Sequence, residues 1–192
     1  MWANLRADLQ RFCDEDSGQS GGLRKALQVV MTEPGFHAVW AYRVSRWLHL
    51  HHVPLIGSIL QRFIEVWSGI TIPPTAVIGP GLLIYHFGGI VINSQTVMGQ
   101  DCTLHHSVTI GNRRPGGGSP RIGNRVMIGV GACVLGEFFV GDDAEIGANA
   151  VVLDAVPERG VAVGIPAKVI RVKPAQGDTR RAVLKESIDG QA

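Results

Sequence analysis

Two of the seven histidines in this 192-residue chain are spaced to do acid–base chemistry side by side. His86 and His106 each follow an aliphatic residue, Ile84 and Leu104, by two positions, and they lie twenty residues apart. If Ile84 and Leu104 point inward in successive coils of a stacked structure, the two imidazoles share a face, about one strand spacing (~4.8 Å) apart. A neutral imidazole is the side chain best suited to take a proton from a hydroxyl near neutral pH. Gly88 and Gly89 lie beside His86, and their backbone N–H groups are candidate donors to an oxyanion. The other histidines read more plainly. His49, His51 and His52 fall at a helix end, where the helix dipole favours them, and His37 reads as a helix-surface or packing residue. Cys13, Cys102 and Cys133 are odd in number and lack metal-ligand spacing, so neither a disulfide framework nor a metal site is expected.

The element that must position these histidines is written in the repeat. Ile72, Ile78 and Ile84 hold a six-residue register. Ile92, Met98, Leu104 and Ile110 hold a second, continued by Ile122, Ile128, Val134, Val140, Ile146 and Val152. Glycine often follows the aliphatic residue. A small or branched residue recurs four places on, as at Ala76, Cys102, Val108, Val126, Ala132, Ala144 and Ala150. A period of six is neither helical nor simple alternation. It is the mark of a β-solenoid with three flat sides, one hexapeptide per side. Residues 1–70 carry helical stripes instead: Leu5, Leu9 and Phe12; then Leu23, Leu27 and Val30; then Phe36 to Leu48; then Ile56 to Trp67. The breaks between them fall at Asp14 to Gly22, at Pro34-Gly35 and at the His-rich LHLHHVP. The expected fold is therefore α+β: a helical region over 1–70, a parallel β-helix over 71–173, and a polar tail over 174–192 that reads as disordered.

Composition narrows the function class. The net charge is +2 with the basic residues spread out, which gives no nucleic-acid footprint. The start, MWANLRADLQRF, lacks the layout of a signal peptide, and the apolar stretch from Pro54 to Ile70 is short and contains Arg62 and Glu65. A cytoplasmic protein is the expectation. The repeat fails in two places. One is a two-residue slip between Ile84 and Ile92, which carries His86. The other is NRRPGGGSPR, Asn112 to Arg121, where three glycines and two prolines predict a loop extruded from the scaffold.

The runs IPPTAVIGPGLLIYHFGGIVI, SVTIGN, RIGNRVMIGVGACVLG, IGANAVVLDAVP and VGIPAKVI resemble the serine acetyltransferase family of hexapeptide transferases. The helical lead, ADLQRFCDEDS and PGFHAVWAYRVSRWL, resembles the same family's amino-terminal region in its short form. The resemblance implies a left-handed β-helix that trimerises, with acetyl-CoA bound between neighbouring subunits and His86 as the catalytic base. It also implies a coenzyme channel lined by Gly111, Val130 and Ala148, with Lys168 of the IPAK string at the coenzyme's phosphate-rich end. The extruded loop is expected to reach across the subunit interface.

The chain departs from that family at its acceptor-reading positions. Tyr85 stands where the family has an aspartate directly before the histidine. Gly118 and Ser119 stand where it has an Arg-His pair, and Thr71 where it has an aspartate that orients the base. Asp16 keeps one acidic acceptor-binding position, followed by Ser17 in place of proline. Without the arginine, a carboxylate acceptor loses its bidentate partner. The strings IVIN and VTIGNR, with a histidine at His106, also resemble acetyltransferases of exopolysaccharide clusters of the colanic acid type. The expected function is thus acetyl-CoA-dependent O-acetylation of a saccharide hydroxyl. Tyr85, Asn93, Asn112 and Ser119 are expected to line an uncharged acceptor site, with His106 a secondary proton-handling residue. The alternatives are serine O-acetyl transfer in cysteine biosynthesis and a non-catalytic scaffold. The expected assembly is a homotrimer, with a dimer of trimers left open. The end, IDGQA, lacks the terminal isoleucine with which many of these enzymes grip cysteine synthase, so no such complex is expected.

Overall fold

The computed structural model describes residues 1–15, 22–86 and 88–175. Four helices come first: α1 (Trp2–Glu15), α2 (Leu23–Thr32), α3 (Pro34–Leu50) and α4 (Pro54–Ser68). Their boundaries follow the expected punctuation. Pro34 and Pro54 each occupy the first turn of a helix, where a missing N–H is harmless. Gly69 ends α4 in the left-handed region, at φ 67°.

A left-handed β-helix with three sheet faces follows. The first face stacks β1 (Ile70–Thr71), β4 (Ile90–Ile92), β7 (Thr109–Gly111), β10 (Cys133–Leu135) and β13 (Val151–Val152). The second stacks β2 (Val77–Ile78), β5 (Val97–Met98), β8 (Arg121–Ile122) and β11 (Phe139–Val140). The third stacks β3 (Leu83–Ile84), β6 (Thr103–Leu104), β9 (Met127–Ile128), β12 (Glu145–Ile146) and β14 (Gly160–Gly164), and β15 (Ala167–Val172) closes it. All pairs are parallel except β14 with β15. The GIPAKVIRVK segment, inside the expected β-helix range, is therefore the turn and far side of a hairpin and supplies the last strand of the third face.

The repeat's aliphatic residues point inward as the period requires. Ile84, Leu104, Ile128 and Ile146 form one buried column on the third face, and Ile92, Ile110, Val134 and Val152 form another on the first. Each such side chain contributes about 1.5–3 kcal/mol when removed from water. The small corner residues, Ala76, Cys102, Ala132, Ala144 and Ala150, are also buried. Burial pushes the Cys102 thiol up to about 11, as befits a core residue rather than a nucleophile.

Both failures of the period have a structural meaning. The slip makes the first coil two residues longer than the regular eighteen, so Ile84 stacks on Leu104. The glycine-rich loop adds six residues between β7 and β8, and Ile110 stacks on Val134. Because six is also the repeat length, the register of the sequence runs unbroken across the loop although one hexapeptide lies outside the coil.

The helical region is bolted to the first coil through buried polar groups. Arg43, on α3, pairs with Asp8, on α1, at 2.8 Å with both side chains buried. Its remaining N–H groups donate to the carbonyls of Ile78 and Gly79, and the Leu82 N–H donates to Asp8. The Tyr42 hydroxyl donates to the Ala76 carbonyl and accepts from the Ile78 N–H. Every member of this network is paired, which is the condition for a buried ion pair to be tolerated. Gly35, near the start of α3, packs onto the backbone of Ile84; an added Cβ would collide with the Ile84 carbonyl oxygen. That close approach sets the helical region directly beside His86.

Candidate functional site

His86 lies at the corner between the third and first faces, exposed, in the left-handed region at φ 64°. Gly88 and Gly89 follow with φ 96° and 70°, and a Cβ on Gly89 would press on Ser107 in the next coil. The slip is thus a turn that few residues other than glycine can complete, and it throws the His86 side chain outward.

The coil arithmetic places His106 on His86. Their ring centroids lie 5.6 Å apart at an interplanar angle of 71°, edge to face. The same stacking joins a pair that sequence reasoning missed, Tyr85 and His105, stacked at 5.0 Å. The twenty-residue offset that links His86 to His106 was the signal for this second pair. Three imidazoles therefore gather at one corner. His105 is held below the ordinary histidine value, first by burial and then by the positive charge its neighbours His86 and His106 would carry. The Nδ1 atom of His106 is buried and has no hydrogen-bond partner among the described residues.

The corner continues as a column. His86, His106, Val130 and Ala148 occupy equivalent places, each two residues beyond an inward aliphatic side chain. Backbone bonds tie the steps: Ser107 N–H to the Gly88 carbonyl, Gly131 N–H to His106, and Asn149 N–H to Val130. At about 4.8 Å per coil, Val130 and Ala148 fall within ~15 Å of His86 along one edge. Lys168 is exposed on β15, opposite Val163, one residue before the same corner. Gly111 lies elsewhere, at the far end of the first face, stacked on Leu135.

The polar residues expected to line an acceptor site divide. Tyr85 is half-buried at the histidine corner. Asn93, Asn112 and Ser119 meet at the opposite end of the first face, at the base of the extruded loop. There the buried Ser119 hydroxyl lies 2.9 Å from the Asn93 carboxamide and 2.7 Å from that of Asn112. Both carboxamides turn their oxygen toward the hydroxyl, so its single proton is shared between two acceptors that it holds together. Gly118, beside them, lies under Glu137, whose carboxyl carbon would stand 2.5 Å from any Cβ at that position. Thr71 donates to the Glu65 carboxylate at 2.9 Å. Asp16 and Ser17 lie outside the described residues.

A cleft of about 200 Å³ opens beside His86, bounded by Tyr85, by β3 and by the helical region, and Glu33 lies on its lining. Glu33 carries no local signal in the sequence. It reaches the site only because α3 docks on Ile84. Among the described residues no group of three or more His, Cys, Asp or Glu is placed to hold a metal ion, and no helix is long and apolar enough to cross a membrane. The corner can therefore offer an exposed imidazole for proton transfer, a glycine-rich turn beside it, and an edge along which an extended ligand can lie.

Comparison with known proteins agrees with this geometry. No family model matches the chain. A serine acetyltransferase of Mycobacterium tuberculosis is 42% identical over 180 residues, spanning 92% of this chain and 77% of its own length. One from Helicobacter pylori is 41% identical over 169 residues, spanning 87% and 96%. Among solved structures, a serine acetyltransferase from Brucella abortus in complex with coenzyme A matches with a TM-score of 0.82 at 31% identity, over 91% of this chain and 70% of that one. These matches give no support to the likeness with exopolysaccharide enzymes.

Proposed function

The chain belongs to the serine acetyltransferase family, and on that premise we propose that it moves the acetyl group of acetyl-CoA to the hydroxyl of L-serine, with His86 as general base. One observation carries the assignment: His86 is held outward at the slip, against His106, on the edge that Val130 and Ala148 share and near whose end Lys168 stands. In the proposed reaction the neutral His86 ring takes the proton of the acceptor hydroxyl as its oxygen bonds to the thioester carbonyl carbon. The glycine-rich turn offers N–H groups to the oxygen that gains charge. The carbon–sulfur bond then breaks, and the imidazolium returns its proton to the departing thiolate. His106, packed edge to face on His86, would help to hold the orientation of the base's ring. Val130, Ala148 and Lys168 would carry the coenzyme, with Lys168 at its phosphates. Gly111, set apart from the column, fits that role only through a ligand spanning the first face.

The saccharide acceptor expected from the sequence is replaced as the leading reading. It required Asn93, Asn112 and Ser119 to present polar atoms to a sugar, and these bond to one another instead. A specific observation still favours an uncharged acceptor as a second reading: Glu137, not a cation, fills the space over Gly118, the position of the arginine in the pattern that the sequence resembles. Release of coenzyme A from acetyl-CoA, followed with L-serine and with a panel of nucleotide sugars and oligosaccharides, separates the two. Rapid release with L-serine supports the first. Release with sugars alone transfers the assignment to the second, and absence of release with every acceptor tried sinks both in favour of a scaffold.

A homotrimer is part of the proposal, the loop 112–121 reaching a neighbouring subunit. The outward Val77, Val91 and Phe139 remain exposed on the solenoid faces, as an associating surface requires.

A further inference from the structure

The cleft beside His86 has a composition that the acetyl-transfer chemistry does not by itself demand. Its walls are apolar, from Phe12 on α1, Val29 on α2 and Leu83 on β3, and three polar side chains converge on it: Tyr85, His86 and Glu33. Among the described residues, Glu33 is the one carboxylate on this lining. It sits at the junction of α2 and α3 with an extended backbone, its N–H donating to the Val29 carbonyl and its own carbonyl accepting from His37. It occupies the N-cap position of α3 but makes no side-chain capping bond. Its carboxylate forms no hydrogen bond or ion pair with any described residue. The backbone of Glu33 is thus fixed at the helix junction, and the acceptor capacity of its carboxylate is left for water or a ligand.

Size and charge then define the occupant. An engineered cavity of about 150 Å³ takes benzene, a ligand of six non-hydrogen atoms. A cleft of about 200 Å³ suits a ligand only slightly larger. L-Serine has seven non-hydrogen atoms and a hexose twelve. An unpaired carboxylate on an apolar wall favours a cation and disfavours an anion, because charge-assisted hydrogen bonds strengthen where water is displaced. We propose that this cleft is the acceptor subsite and that Glu33 is its specificity-determining residue, pairing with the ammonium group of a small amino alcohol while the hydroxyl faces His86. The proposal rests on the reading of His86 as the base, and it assigns the ammonium to a residue of the helical region.

The test uses the full chain and two probes that carry both ammonium and hydroxyl, L-serine and ethanolamine, with 3-hydroxypropanoate as the acceptor that lacks the ammonium. Steady-state coenzyme A release measures turnover. Titration of the same compounds without acetyl-CoA, followed by the ring resonances of His86, measures binding alone. For Glu33→Gln, KM for L-serine and the dissociation constants of both amines are expected to rise about ten- to a hundred-fold. Meanwhile kcat should stay within a few-fold, binding of 3-hydroxypropanoate should not weaken, and Glu33→Asp should restore part of the loss. Binding that Glu33→Gln weakens, without any coenzyme A release, would support the subsite and sink serine acetylation. Turnover with wild-type KM and amine binding in Glu33→Gln would overturn the subsite and leave acetyl transfer standing. Failure of both amines to perturb His86 at millimolar concentration would also overturn it.

Discussion

At the first break in the six-residue repeat the chain turns outward at His86, and the turn is braced from outside. Gly35 of α3 bears on Ile84, and Asp8 and Arg43 grip Leu82, Ile78 and Gly79. At the second break the loop after Gly111 is braced from within, its base closed by Ser119 between Asn93 and Asn112. The first arrangement leaves side chains exposed on a rigid corner. The second uses its polar atoms on itself. A lapse in a regular scaffold thus marks a place where function can be built, but only a lapse held by other elements keeps its side chains for a ligand.

The comparison can be broken most directly at His86. His86→Ala is expected to lower kcat by about 10²- to 10⁴-fold with the circular dichroism spectrum unchanged. Retained turnover would move the chemistry away from the first break. Asp8→Ala strands the Arg43 guanidinium in a buried position, and about 3–5 kcal/mol of stability should be lost in urea denaturation. Because that network braces the first break, turnover should fall in the variant even where it remains folded. Ser119→Ala leaves two carboxamides facing each other at the second break. A loss of about 1–3 kcal/mol is expected, with KM for the acceptor unchanged if the clasp is structural. A raised KM with unaltered stability would instead return Ser119 to the acceptor site.

The smallest effect lies in pH. Folded His105 is held below its ordinary value, so near and below pH 6.5, about the model-peptide value, the unfolded chain binds a proton that the folded chain resists. Its contribution to stability is complete at pH 8 and is lost as pH falls below about 6.5. Urea midpoints between pH 8 and pH 5 should fall less steeply in His105→Gln than in the wild type. Equal slopes would show that burial at the first break does not hold His105 below its ordinary value.

Much of this was legible before any coordinates. Helix breaks at Pro34 and Pro54 follow from chemistry that acts within a few residues. The stacking of His86 on His106 follows from counting, since one coil of eighteen plus a slip of two separates them. The same count held the Tyr85–His105 pair in plain view. Other features had no such signal. Ser119, Asn93 and Asn112 read as free polar groups because their mutual bonding requires the loop to fold back through a path its glycines and prolines do not specify. The loop's six residues also imitate a hexapeptide in the register, so the period cannot show that they leave the coil.

By itself the sequence determined the β-helix, its inward columns and the corner on which the histidines stand, because a repeat dictates each contact from its neighbours eighteen residues away. Only the tertiary structure decided what surrounds that corner. Glu33, Phe12 and Val29 border His86 because α3 approaches Ile84 at Gly35 and because Asp8 and Arg43 pair across 35 positions. Such contacts join segments with no common period. Their energy comes from buried charge and close packing that no local pattern records.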